Sequence, residues 1–132
     1  MSGPVEAQRS PFLELQQSDW DAMVAELRSA FLGARDYARG RQGGRIVIVS
    51  AAAAARPIAG AALEAVAGAF LTTTAQVAAV ELAEQGITAN VVVPALEPDA
   101  QALDAVVAFL LSDDASYITG TSLVIDGGFV AQ

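Results

Sequence analysis

The chain has 132 residues, a net charge of −8, a pI near 4.2, and neither Cys, Lys nor His. That length makes one domain with a modest core, and the acidity argues against nucleic acid or an anionic membrane as partner, since both require basic patches. The missing residue types remove disulfide and thiolate chemistry, the commonest general base, the commonest metal ligand and every amine-based mechanism; all seven cations are Arg.

Residues 1–17 carry Pro4 and Pro11 and no clean period, so an extended arm is expected there, pinned to the body by Phe12 and Leu13. No apolar core segment marks a signal peptide, and with no cysteine framework a cytoplasmic protein is expected. Residues 18–132 read as one α/β domain. Ser18-Asp19-Trp20-Asp21 is a helix start, with Ser18 as cap and two carboxylates at the positive end of the dipole. Trp20, Met23, Val24, Leu27 and Phe31 recur at helical spacing, and the helix is expected to run to about Arg39. Arg35, Arg39 and Arg41 cluster at its end, where cations complement the dipole; a phosphate-binding patch is the alternative.

Gln42-Gly43-Gly44 turns into a first strand, Arg45–Val49. The loop after it, Ser50–Arg56, holds five consecutive Ala, whose methyl groups offer neither hydrogen bond nor charge to a ligand. A long Ala-rich helix is expected from about Pro57 to Gln85, with Leu63, Val66, Phe70, Val77 and Val80 on one broad stripe and small residues on the other faces. Arg56, Pro57 and Glu64 interrupt the weakly polar run Ala51–Leu71, which argues against a membrane span. After Gly86, Val91-Val92-Val93 is a second buried strand, ended by Pro94. Strand, helix and strand at this spacing form a βαβ unit with parallel strands. A short acidic loop (95–100), a helix over Gln101–Leu111, a turn at Thr119-Gly120-Thr121, a third strand over Ser122–Ile125 and the tail Phe129–Gln132 complete the chain. The architecture expected is a short parallel sheet of about three strands flanked by helices. A helix that is apolar or small on most faces must be buried on most faces. The long helix and the Trp20–Arg39 helix are therefore expected to form a subunit interface.

Three stretches resemble one family in the same order and frame. They are Gly44-Arg45-Ile46-Val47-Ile48-Val49-Ser50, the run from Glu81-Leu82-Ala83-Glu84-Gln85-Gly86-Ile87-Thr88-Ala89-Asn90 through Val91-Val92-Val93-Pro94, and the run from Phe109-Leu110-Leu111-Ser112-Asp113-Asp114 through Thr119-Gly120-Thr121 to Asp126-Gly127-Gly128-Phe129. All look like the short-chain dehydrogenase/reductase family, and Trp20-Asp21 resembles the start of that family's first interface helix. The resemblance implies a truncated, three-layer Rossmann-like fold, matching the carboxyl half of the family's. It also implies losses. The family's glycine-rich pyrophosphate turn would precede this region, so no cofactor-binding residue is assigned to this chain. The family's catalytic Ser falls at Ala51, with Ser50 one place early. Its Tyr and Lys fall at Glu64 and Gly68, its helix Asn is missing around Ala25-Glu26-Leu27, and Pro-Gly is Pro94-Ala95 with the substrate loop cut short.

Hydride transfer to a carbonyl needs a phenol to donate the proton and an ammonium to lower its pKa. Neither stands at the expected place, so no catalytic residue and no metal site is assigned, and the chain reads as a pseudoenzyme. What the resemblance retains is the part that builds oligomers. The expected function is a non-catalytic subunit that forms a hetero-oligomer with a full-length, active member of the family, NAD or NADP being bound by that partner. The expected interface residues are Trp20, Met23, Leu27, Phe31, Leu63, Val66, Phe70, Val77, Val80 and Phe129. The alternatives are a self-associating scaffold, or half of a split NAD(P)-dependent oxidoreductase completed by a second chain.

Overall fold

A computed structural model describes residues 9–95 and 97–132; residues 1–8 of the arm expected over 1–17, and Leu96 in the acidic loop, lie outside the described residues. Three helices, α1 (Gln17–Ala38), α2 (Ala62–Leu82) and α3 (Ala100–Leu111), alternate with three strands, β1 (Gly44–Val49), β2 (Ile87–Pro94) and β3 (Ser122–Ile125). The sheet order is β1-β2-β3 and both pairings are parallel, with Gly44 opposite Ile87 and Val91 opposite Ser122. Residues of β2 point alternately to the two faces, and both faces are covered, which is why its second half, Val91–Val93, reads as one apolar run. On one face Met23, Leu27, Ile48, Leu71, Val91 and Val93 form a core under α1 and α2. On the other, Val47, Val49, Val92, Val107 and Leu110 form a core under α3. The result is three layers, an α/β Rossmann-like arrangement as expected.

Several boundaries differ from the sequence reading, each for a local reason. Ser18 is not the cap of α1. The helix begins one residue earlier, at Gln17, and the Asp19 carboxylate accepts the Gln16 backbone N–H at 3.0 Å. Phe12 and Leu13 do not pin the arm, since they stand 75% and 94% exposed on the short turn Phe12–Glu14, and Leu15 packs on the core in their place. The long helix begins at Ala62, not near Pro57, because Pro57 is followed by Gly60 at φ +80°, a left-handed conformation a helix cannot contain. Its end is set by Gly86, also left-handed, after a tight turn over Ala83–Gln85. The second strand is longer than Val91–Val93, since Ile87–Asn90 pairs with Gly44–Val47.

The stripe on α2 also divides differently. Its sheet-facing side is Leu63, Ala67, Leu71, Ala75 and Ala79, all buried. Small residues let the helix axis lie close to the strands. The larger Val66, Phe70, Val77 and Val80 point outward and are exposed. By length and composition alone α2 with its terminal turn, Ala62–Gln85, would suffice to cross a bilayer, but its buried side here packs on the sheet.

Candidate active site

In an open α/β sheet the ligand crevice lies beyond the carboxyl ends of the strands. Here that region is the loop after β1, the first turns of α2 and the end of β2. Ser50 leaves β1 with its N–H donating to the Val92 carbonyl at 2.8 Å, so it continues the sheet's ladder and is only 1% exposed. Its hydroxyl turns into α2, donating to the Gly68 carbonyl at 2.9 Å and lying 3.2 Å from Thr72 Oγ1. With its one proton engaged on a carbonyl, Ser50 Oγ is a structural group and offers no free nucleophile or donor to the crevice.

Ala51, at the position the resemblance assigns to the catalytic Ser, presents a methyl group. Ala52–Ala54 then form a single tight turn whose first two residues are buried. That turn sits directly on Gly68. A Cβ built at Gly68 would stand 2.8 Å from Ala54 Cβ, 3.0 Å from Ser50 Oγ and 3.1 Å from the Ala51 carbonyl oxygen. The position assigned to the Lys therefore has no room for any side chain. Glu64, at the position assigned to the Tyr, is half-buried one turn earlier, in the first turn of α2, where its charge complements the helix dipole. What remains of the crevice is a cleft of about 250 Å³ lined by Ala51, Ala54, Ala55, Thr72, Thr73 and Val93 with Ser122 and Val124 of β3. Its polar groups are hydroxyls, and no ionisable side chain lines it. Among the described residues no cluster of His, Cys, Asp or Glu is arranged to hold a metal.

The tail closes over one side of this region. The Asp126 carboxylate accepts the N–H groups of Gly128 at 2.9 Å and Val130 at 2.6 Å, which curls the chain back after β3. Arg56 Nη1 donates to the Phe129 carbonyl at 2.8 Å, and the guanidinium carbon lies 4.7 Å from the centre of the Phe129 ring. Phe129 is thus half-buried against its own chain. Arg56→Ala removes both contacts at once. About 1 kcal/mol of stability is expected to go with them, a partly exposed cation–π contact and one hydrogen bond, and the amides of 128–132 are expected to exchange faster in deuterium-exchange mass spectrometry.

The remaining expected site residues fall into two groups. Met23, Leu27 and Leu63 belong to the chain's own core and lie beneath its surface. Trp20, Phe31, Val66, Phe70, Val77 and Val80 are exposed on the outer face of α1 and α2, where Phe31 and Phe70 meet at 6.2 Å between ring centres. Two of the three clustered Arg are engaged locally. Arg35 is paired with Asp36 at 3.1 Å, and Arg41 lies 4.0 Å over the Tyr37 ring while donating to its carbonyl. Three structural roles were not expected from sequence: the Gly68 packing, the Arg56 latch and the buried Asn90. Asn90 donates to the Ile118 carbonyl at 2.8 Å and accepts the Thr121 N–H at 3.1 Å. A lone Asn within a run of apolar strand residues was the available signal, because a buried amide has to be hydrogen-bonded.

Comparison with known proteins places this geometry. A family model described as enoyl-(acyl carrier protein) reductase matches residues 3–102 and 97–130, two segments that overlap from the loop after β2 into the first turn of α3. The oxidoreductase YohF of Escherichia coli is 27% identical over a gapped alignment of 152 positions, covering 92% of this chain and 60% of that protein. The 3-oxoacyl-[acyl-carrier-protein] reductase FabG of Salmonella typhimurium is 32% identical over 145, covering 88% and 59%. Among solved structures, an oxidoreductase of Escherichia coli superposes with a TM-score of 0.89 at 27% identity, over 98% of this chain and 62% of that one. A short-chain dehydrogenase/reductase of Serratia marcescens gives 0.87 at 33% identity, over 95% and 62%. The chain spans about 60% of the length of the relatives it matches.

Proposed function

Because this chain belongs to the short-chain dehydrogenase/reductase family while its positions 51, 64 and 68 hold Ala, Glu and Gly, we propose that it is a non-catalytic, cytoplasmic subunit that assembles with an active, full-length member of the same family. The observation that carries this reading is Gly68. Both neighbours of the crevice, Ser50 and the Ala52–Ala54 turn, are packed into the volume a lysine would need. A chain under selection for hydride transfer would hold that volume open. These positions lie well inside the family match, so the reading does not depend on where the chain begins or ends. The outer face of α1 and α2 supplies the docking surface, and the partner binds the NAD or NADP.

A nicotinamide cofactor titration followed by fluorescence tests the first half. The chain alone is expected to give no saturable signal with either NADH or NADPH. Co-expression with a full-length family member is expected to give a complex of fixed stoichiometry in which cofactor is bound at the partner's sites only. Turnover of a carbonyl substrate by the chain alone would overturn the reading. One observation keeps the split-enzyme alternative in view. Among the described residues β1 is paired only with β2, leaving an edge that a partner strand could extend. That alternative predicts that cofactor contacts in the complex include groups of this chain.

A further inference from the structure

The outer face of α1 and α2 is not uniform. Phe31 and Phe70 border two grooves on it. The groove toward the start of α1 has a volume of about 650 Å³ and is lined by Trp20, Val24, Phe31, Val66 and Phe70 among others. Its single charged lining residue is Arg28. The other, of about 590 Å³, carries charge of both signs in Arg35 and Glu81.

The charge of Arg28 has no answer on its own helix. Side chains three and four places apart are neighbours on a helix surface, and for Arg28 these are Val24, Ala25, Phe31 and Leu32, none of them acidic. Among the described residues Arg35 and Arg45 pair with Asp36 and Asp113, and Arg41 and Arg56 lie over aromatic rings, while Arg28 makes no ion pair and no ring contact. In a chain of net charge −8, a cation on an apolar groove with no carboxylate in the lining is an exception. A guanidinium presents a fork of donors that matches a carboxylate. From Arg28 back to Trp20 is eight residues, about 12 Å along the helix. An extended chain of about ten carbons spans that length, at roughly 1.2 Å per bond.

We infer that this groove binds a single-chain aliphatic anion, a free carboxylate on about ten carbons, with its head group on Arg28 and its tail laid between α1 and α2 toward Trp20. The groove shares no lining residue with the crevice after β1, so the site is separate from Ala51 and Gly68. A free anion fits better than a bilayer, because an anionic membrane surface repels a chain of net charge −8 that offers it one arginine here. Resting on the hetero-oligomer reading above, ligand and partner use one surface, so each weakens binding of the other by the same factor.

Trp20 is the chain's one tryptophan and stands 49% exposed in the groove, so its fluorescence reports occupancy. Titration of the chain alone with decanoate, below its micelle concentration, is expected to give a saturable blue shift with one site per chain. Hexanoate, four methylenes shorter, is expected to bind about tenfold more weakly. Decyltrimethylammonium, with the same tail and the opposite charge, is expected to bind more weakly than decanoate. Arg28→Gln is expected to weaken decanoate about fivefold and to remove the preference between the two head groups. Val66→Glu, which sets a carboxylate in the groove wall, is expected to abolish decanoate binding. Arg28 and Val66 are both exposed, so each variant is expected to fold, as circular dichroism checks. Absence of a saturable shift, equal response to the two head groups, or decanoate binding unchanged by Arg28→Gln overturns the inference. So does binding to phosphatidylglycerol vesicles without binding of free decanoate, which would assign the face to a membrane. The two proposals fail separately. If decanoate binds as expected but no family member is captured, the hetero-oligomer reading falls and the ligand site stands; if a family member is captured but decanoate does not bind, the reverse holds.

Discussion

Gly68→Ala is expected to lower the melting temperature by roughly 3–8 °C, the scale of about 1–2 kcal/mol in a domain of this size. The sign is what makes the experiment informative. Within an exposed helix the same exchange normally stabilises by up to about 1 kcal/mol, because Ala gives up less backbone entropy than Gly. Gly33 of α1 provides that control in the same molecule, since a Cβ there meets nothing within 4 Å; Gly33→Ala is expected to raise the melting temperature slightly. At Gly68 the added methyl group meets Ala54 Cβ at 2.8 Å and the Ala51 carbonyl at 3.1 Å, so the turn over Ala52–Ala54 has to move off the helix. That overpacking costs about 1–3 kcal/mol and outweighs the propensity gain. It also disturbs Ser50, whose hydroxyl is held by the Gly68 carbonyl. The double change Glu64→Tyr with Gly68→Lys, which restores the family's residue types, is expected to destabilise the chain further and to give no reductase activity. A stable, active double variant would show that the crevice opens readily and that the packing at Gly68 is incidental.

Asn90→Ala is expected to be strongly destabilising, costing about 2–4 kcal/mol in chemical denaturation. Asn90 is 1% exposed, and its amide joins β2 to the segment that enters β3 through the Ile118 carbonyl and the Thr121 N–H. The truncation removes two hydrogen bonds and leaves both backbone partners unsatisfied beside a buried strand, each at a cost of about 1–3 kcal/mol before relaxation. Two backbone bonds flank the same junction, Gly120 N–H to the Ala89 carbonyl at 2.8 Å and Val91 N–H to the Thr121 carbonyl at 3.0 Å. Asn90 therefore fixes where β3 begins against β2. Deuterium exchange should show this directly: in the variant the amides of Ser122–Ile125 lose protection while those of β1 and the first half of β2 keep most of theirs. Uniform loss of protection across the sheet would assign Asn90 to general packing instead.

The strands and helices were legible because each carries its own pattern. Ile46–Val49 and Val91–Val93 read as buried strands since nothing polar interrupts them, and α3 reads as a helix from Leu103, Val106, Val107 and Leu110. Boundaries were less legible where a cap or a turn decides them. Asp19 and not Ser18 closes the first turn of α1, and Gly60 delays α2. The altered positions of the crevice were legible too, since Ala51, Glu64 and Gly68 stand in frame with motifs on either side. Sequence could state that the reactive groups were replaced, but not what fills their place.

By itself the sequence determined the fold class, the family and the lack of an amine or imidazole, because these follow from residue types and from periodicities that each segment carries locally. Only the tertiary structure decided which way α2 faces, with Ala67, Ala75 and Ala79 against the sheet and Phe70, Val77 and Val80 outward. It alone placed Ala54 on Gly68 and Arg56 on Phe129, contacts between residues far apart in the chain. A helix that is apolar on every side has no periodic signal to choose its buried face. The choice rests on how closely small residues let it approach the strands, and that is a property of the assembled layers.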